Sequence, residues 1–131
     1  MFPYFITSLQ YPVFPDDLVP DSTGLVALGG DLQPDILIEA YSKGIFPWSG
    51  EDPIPWYSPD PRLILKPQNF HLSRRLERTI RSGKFKIRFD TDFHGVITAC
   101  AAISREHQSG TWINGRIISA YTLLHDMGIA H

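Results

Sequence analysis

The chain has 131 residues, 43% of them hydrophobic, and a formal net charge of −2. That suits one ordinary globular unit, or a small domain plus part of another, and it leaves enough apolar mass to bury a core without staples. A single cysteine, Cys100, rules out an internal disulfide and fits an intracellular setting.

Residues 1–32 are rich in proline, aspartate and glycine and read as turns with short extended pieces. LGGDL (28–32) reads as a tight glycine turn. It is neither a dinucleotide fingerprint nor a phosphate loop, since no GK[ST] follows. Residues 34–43 predict a short helix, with Pro34 at its first position, Ile36, Leu37, Ala40 and Tyr41 on one face, and Gly44 as its stop. Residues 46–61 form an aromatic–proline loop carrying Phe46, Trp48, Trp56 and Tyr57 among Pro47, Pro53, Pro55, Pro59 and Pro61. RLILK (62–66) predicts a strand, and Ser73 is placed to cap a helix over 74–82 that Gly83 ends. KFKIRFD (84–90) alternates, with Phe85, Ile87 and Phe89 on one side and Lys84, Lys86 and Arg88 on the other, the pattern of a half-buried strand. A helix over about 92–103 is expected to turn Phe93, Val96, Ile97 and Cys100 inward. EHQSG (106–110) reads as a loop and TWI as a short strand. Asn114 then caps a helix bearing Ile117, Ala120 or Tyr121, Leu124 and Met127, which Gly128 stops. The order predicts a mixed chain of helices and strands. It reaches GIAH with only two good strands, where a further strand is expected for the helices to cover.

The longest apolar runs fall well short of the roughly 18 residues that a membrane helix needs. MFPYFITSLQ lacks the basic start and long apolar stretch of a secretory leader. A cytoplasmic protein with no membrane partner is expected.

Charge is unevenly spread. Arg74, Arg75, Arg78, Arg81, Lys84, Lys86 and Arg88 are seven of the 12 basic residues, opposed only by Glu77 within that stretch. Arg74, Arg78 and Arg81 fall on one helical face, a row suited to successive phosphates through counterion release and bidentate contacts. The plain alternative is a solvated helix face. Trp48, Trp56 and Trp112 are the three tryptophans, each in or beside a loop. A nucleobase stacks well on such side chains, and each can equally serve as packing. The five histidines show no HExxH or other clean metal spacing, Ser58 lies outside any nucleophile elbow, and Cys100 reads as a small core residue. These features leave a nucleotide-end reader, a general RNA-binding module and a protein-interaction surface all open.

GLVALGGDL (24–32), AYSKGIFPW (40–48), WYSPDPR (56–62), GTWI (110–113) and SAYTLLHDMGIAH (119–131), in this order and spacing, resemble the leucyl/phenylalanyl-tRNA–protein transferase family over most of residues 13–131. The resemblance implies an acyltransferase that moves leucine, phenylalanine or, less well, methionine from aminoacyl-tRNA to the N-terminal Arg or Lys of a protein, marking it for degradation without metal or organic cofactor. It implies an α+β fold, with a small N-terminal domain (1–61) followed by an incomplete N-acetyltransferase-like (GNAT-like) domain (62–131). It also implies that Trp48 and Trp112 hold the 3′-terminal adenosine, that Tyr41 and Tyr121 share that pocket, and that Arg74, Arg75, Arg78, Arg81 and Lys84 approach the tRNA. Glu77 and Ser82 depart from the basic residues found in relatives, and Gln33 replaces the usual helix cap. Family members continue well beyond the equivalent of His131, so the catalytic residues are expected in that further part, and this chain alone is expected to be inactive or to depend on a partner.

Overall fold

The structure is a computed structural model, and it describes residues 3–103 and 111–131. The EHQSG loop, with His107, and Gly110 of GTWI lie outside the described residues.

A four-stranded sheet forms in the first half: β1 (Tyr4–Ile6), β2 (Leu25–Gly29), β3 (Phe46–Pro47) and β4 (Pro55–Tyr57), in the order β1-β2-β4-β3. β1 runs parallel to β2, and the other pairs are antiparallel. The aromatic–proline loop is thus largely a hairpin, with Phe46 opposite Tyr57 and Pro47 opposite Trp56. Trp56 points into the core and is fully buried, its ring edge-on to Phe14 at 4.9 Å and its Nε1–H donating to Gly29 O at 2.8 Å. That bond satisfies the one polar group of a large apolar side chain.

Helix α1 (Pro34–Ser42) lies between β2 and β3 in sequence and buries Ile36, Leu37 and Ala40 of the predicted stripe, while Tyr41, expected on the same face, is exposed. Gly44 takes a positive φ of 71°, and Ile45 N donates back to Ala40 O at 2.8 Å, the signature of a glycine-stopped helix. The chain therefore leaves α1 directly into β3. Glu39, on the same buried stripe, is 4% exposed. Its carboxylate accepts from Val13 N and Phe14 N, both at 2.9 Å, and Lys43 Nζ stands 3.6 Å away. Lys43 also donates to Phe14 O and meets Asp16 at 2.6 Å. This network ties residues 13–16 to α1.

Helices α2 (Arg74–Arg81), α3 (Phe93–Ala102) and α4 (Gly115–Asp126) follow, capped by Ser73, Asp92 and Asn114. A short 3-10 turn lies at Pro67–Asn69. α4 buries Ile117 and Leu124 in the same core as Phe14, Leu37 and Trp56. α2 and α3 bury none of their residues.

The strands expected at 62–66 and 84–90 are not formed, nor is one at TWI. Leu63, Ile64 and Leu65 are exposed, as are Phe85, Ile87 and Phe89. A strand is held by pairing with a neighbour, and no described strand pairs with either segment. The inward faces expected of the helices change too, since no described sheet covers them. Cys100 is exposed rather than a core residue, and so is Val96, while Phe93 and Ile97 are only half-buried. Met127 is exposed as well.

Candidate adenosine-end and phosphate-binding site

Two aromatic groups stand out. In the first, Tyr41 from the end of α1 meets Tyr121 from the middle of α4. Their hydroxyls are 2.6 Å apart and their rings edge-on at 6.3 Å. Trp112, just before α4, sets its ring edge-on to Tyr121 at 6.3 Å. Three residues separated by up to 80 positions are brought together because α1 and α4 share a core. Tyr41 is about half exposed at 49%, so the group opens to solvent. Burial first, and the bond to Tyr41 second, push the ionisation of the Tyr121 phenol far above its ordinary value. The Tyr121 phenol stays neutral. One O–H hydrogen is spent between the two rings, and one remains for a third group.

The second group is built on the hairpin. Trp48 is 54% exposed and tilts against Tyr57 at 5.7 Å and Phe46 at 6.1 Å. Arg62 lies over the Phe46 ring at 5.7 Å and donates to Gly44 O at 2.9 Å and Ser58 Oγ at 3.3 Å. Trp48 therefore belongs to a different ring cluster from Tyr41, Tyr121 and Trp112. Its backbone is pinned by the hydrogen bond from Trp48 N to Pro55 O.

Sequence reasoning missed the residue that joins the hairpin to α4. Arg116 Nη1 donates to Gly50 O at 2.8 Å and pairs with Asp52 at 3.0 Å, while Nη2 faces Asp31 at 3.6 Å. Gly50 packs directly on the α4 cap; a Cβ there would fall 2.3 Å from Asn114 Oδ1. Nothing in the local spacing marks Arg116 for this role. Glu39 could have been found, because an acidic residue on an apolar helical stripe needs partners when buried.

The basic row behaves as expected for an exposed surface. Arg74, Arg75, Arg78, Arg81 and Lys84 all lie open to solvent. Arg81 is engaged by Glu77 at 2.6 Å, an intrahelical pair that competes with outside anions. Among the described residues no group of three or more His, Cys, Asp or Glu side chains is arranged to hold a metal, and no helix is long and apolar enough to cross a membrane.

Two groups of partly exposed aromatic rings and a separate, exposed basic helix are what the geometry provides. Comparison with known proteins gives the family. The model of the leucyl/phenylalanyl-tRNA protein transferase matches residues 64–131, and that of the N-terminal domain of the same transferase matches residues 30–60. The chain belongs to the leucyl/phenylalanyl-tRNA protein transferase family. Among curated relatives so named, the one from Dechloromonas aromatica is 54% identical over 112 residues, covering 85% of this chain and 48% of its own length. That from Myxococcus xanthus is 46% identical over 131 residues, covering 98% of this chain and 56% of its own. That from Solidesulfovibrio magneticus is 54% identical over 124 residues, covering 94% of this chain and 50% of its own. The chain thus spans about half the length of the curated relatives it matches.

Proposed function

We propose that this chain forms the aminoacyl-adenosine end of a leucyl/phenylalanyl-tRNA–protein transferase. The convergence of Tyr41, Tyr121 and Trp112 carries the reading, with half-exposed Trp48 nearby in sequence on a pinned hairpin. Trp48 and Trp112 stack on the 3′-terminal adenine, and the Tyr41–Tyr121 pair donates its free hydrogen to the ribose or ester. A neutral Tyr121 suits holding and donating rather than removing a proton. The Arg74, Arg75, Arg78, Arg81 and Lys84 surface meets tRNA phosphates. The donor is tRNA charged with leucine, phenylalanine or methionine, and the acceptor is the N-terminal Arg or Lys of a protein in the cytoplasm, which the product marks for degradation. A division at residue 61 is part of the same reading. Two family models that meet between residues 60 and 64 support it, and the residues after it begin a GNAT-like domain.

The reaction needs little beyond positioning. The neutral α-amine attacks the ester carbonyl carbon, the new C–N bond forms, and the bond to the terminal ribose oxygen breaks. The amine proton leaves, and the ribose oxygen departs protonated. Fixing the adenosine fixes the ester carbonyl relative to the incoming amine. The groups that move protons and stabilise the oxyanion belong to the half of the family length that this chain does not match.

Binding of the chain to Leu-tRNA, Phe-tRNA and uncharged tRNA at two salt concentrations tests the reading. A preference for the charged forms supports it. Equal, steeply salt-dependent binding to charged, uncharged and unrelated RNA replaces it with a general RNA-binding module. No RNA binding replaces it with a protein-interaction surface.

A further inference from the structure

We propose that Arg116 is a positioning residue for the adenosine end, and that its guanidinium sets the spacing between the hairpin that carries Trp48 and the helix that carries Tyr121. The inference rests on the proposed adenosine grip and adds a residue to it. Trp48 stands in one ring group, and Tyr41, Trp112 and Tyr121 stand in another. A single adenosine gripped by both groups needs a fixed distance between them. Arg116 touches the supports of all of these rings. Its Nη1 donates to Gly50 O at 2.8 Å, just after Trp48, and to Asp52 Oδ1 at 3.0 Å. Its Nη2 faces Asp31 at 3.6 Å, just before α1, which presents Tyr41. Arg116 itself lies in the first turn of α4, between Trp112 and Tyr121.

The contact differs from an ordinary surface ion pair. A Cβ on Gly50 would fall 2.3 Å from Asn114 Oδ1, so the hairpin backbone sits directly on the α4 cap. Asn114 Oδ1 accepts from Ile117 N at 3.1 Å, and Asn114 N donates to Trp112 O at 3.2 Å. The Gly50 carbonyl is therefore held against the same turn that places Trp112. A planar guanidinium meets that carbonyl and two carboxylates in fixed directions, which a flexible ammonium does not. The carboxylates also offset its charge, so Arg116 is poorly placed to bind a phosphate itself. The Arg116 side chain is 44% exposed and that of Asp52 is 73% exposed, so their pairing adds little stability. The consequence of the contact falls on geometry.

The test is a double-mutant cycle on the whole chain, titrated with phenylalanyl-adenosine carrying an amide in place of the ester. Arg116→Ala is expected to shift the urea midpoint little and to weaken fragment binding by roughly three- to tenfold, part of what one stacked base contributes. In a Trp48→Ala background the same substitution should change affinity by less than about twofold, since the ring it positions is gone. Arg116→Lys, which keeps a donor but not the fork, should recover part of the loss. If Trp48→Ala lowers affinity and Arg116→Ala does not, the proposal is overturned and the adenosine grip stands. An equal loss in both backgrounds, or a loss that only follows the folded fraction, overturns it as well and makes Arg116 structural. No binding by the wild-type chain, or binding insensitive to Trp48→Ala, removes the grip itself and the proposal with it.

Discussion

The two tryptophans of the hairpin offer a sharp contrast, since they stand eight positions apart and face opposite environments. Trp56 is fully buried, packs on Phe14 and donates to Gly29 O at 2.8 Å. Its truncation to alanine removes a large core side chain, worth roughly 3–5 kcal/mol, and strands the Gly29 carbonyl, worth about 1 kcal/mol more. Against a typical domain stability of roughly 5–15 kcal/mol, Trp56→Ala should leave the chain barely folded. Trp56→Phe, which keeps a ring beside Phe14 and loses the donor, should cost about 1–3 kcal/mol. Trp48 is 54% exposed and touches two rings at 5.7 and 6.1 Å, so Trp48→Ala should cost only about 1–2 kcal/mol. Its effect should appear in binding instead. Losing one base-stacking partner is worth about 1–3 kcal/mol, or roughly a 5- to 150-fold loss of affinity for an aminoacyl-adenosine fragment. Urea denaturation followed by circular dichroism gives the stabilities, and titration with the fragment gives the affinities. If Trp48→Ala destabilises the fold as much as Trp56→Ala, and affinity falls only with the folded fraction, Trp48 is packing and the stacking assignment is wrong.

Other consequences are equally direct. Glu39→Gln replaces a carboxylate that accepts from both Val13 N and Phe14 N; one amide then faces an NH₂ group, and urea denaturation should show a loss of about 1.5–3 kcal/mol. Gly50→Ala forces the Asn114 side chain away from the α4 N-terminus, and should lower stability by roughly 1–2 kcal/mol, the scale of a lost cap, with increased hydrogen exchange in the first turn of α4. Burial raises the Tyr121 ionisation in the folded state. Its contribution to stability is therefore complete below the ordinary tyrosine value of about 10 and declines as pH rises above it. Absorbance titration should find the Tyr121 phenol still protonated near pH 10 in the folded chain but ionising there in urea, and Tyr121→Phe should abolish that difference.

Helices were legible in the sequence because their signals are local. Pro34 and Gly44 bound α1, while Ser73, Asp92 and Asn114 each accept the capping hydrogen bond at the start of α2, α3 and α4. The strands were not, because a strand depends on its neighbours. RLILK and KFKIRFD carry strand patterns and remain unpaired, while the hairpin holding β3 and β4 was hidden by Pro47 and Pro55, which read as breakers. Both prolines sit at strand ends, where a missing N–H is tolerated, and Pro55 still uses its carbonyl to accept from Trp48 N at 2.9 Å. In the candidate site, Tyr41 was expected on the apolar face of α1, but its ring turns half outward to meet Tyr121. That meeting depends on the docking of α4, which no local pattern encodes.

The docking of α4 has a functional corollary. Ile117 and Leu124 share one core with Leu37 and Trp56, and Arg116 ties α4 to Gly50, Asp52 and Asp31. The hairpin that presents Trp48 and the helix that presents Tyr121 are therefore held by the same buried residues, with Arg62 bonded to Gly44 O and lying over the Phe46 ring. Ligand binding need not assemble these elements, so less of its free energy is spent on ordering them. The basic helix α2 and the unpaired segment at 84–90 have no such support, since α2 buries nothing and Phe85, Ile87 and Phe89 lie open. The chain thus divides by packing: aromatic groups held on one shared core, and a charged and apolar surface that buries little against it.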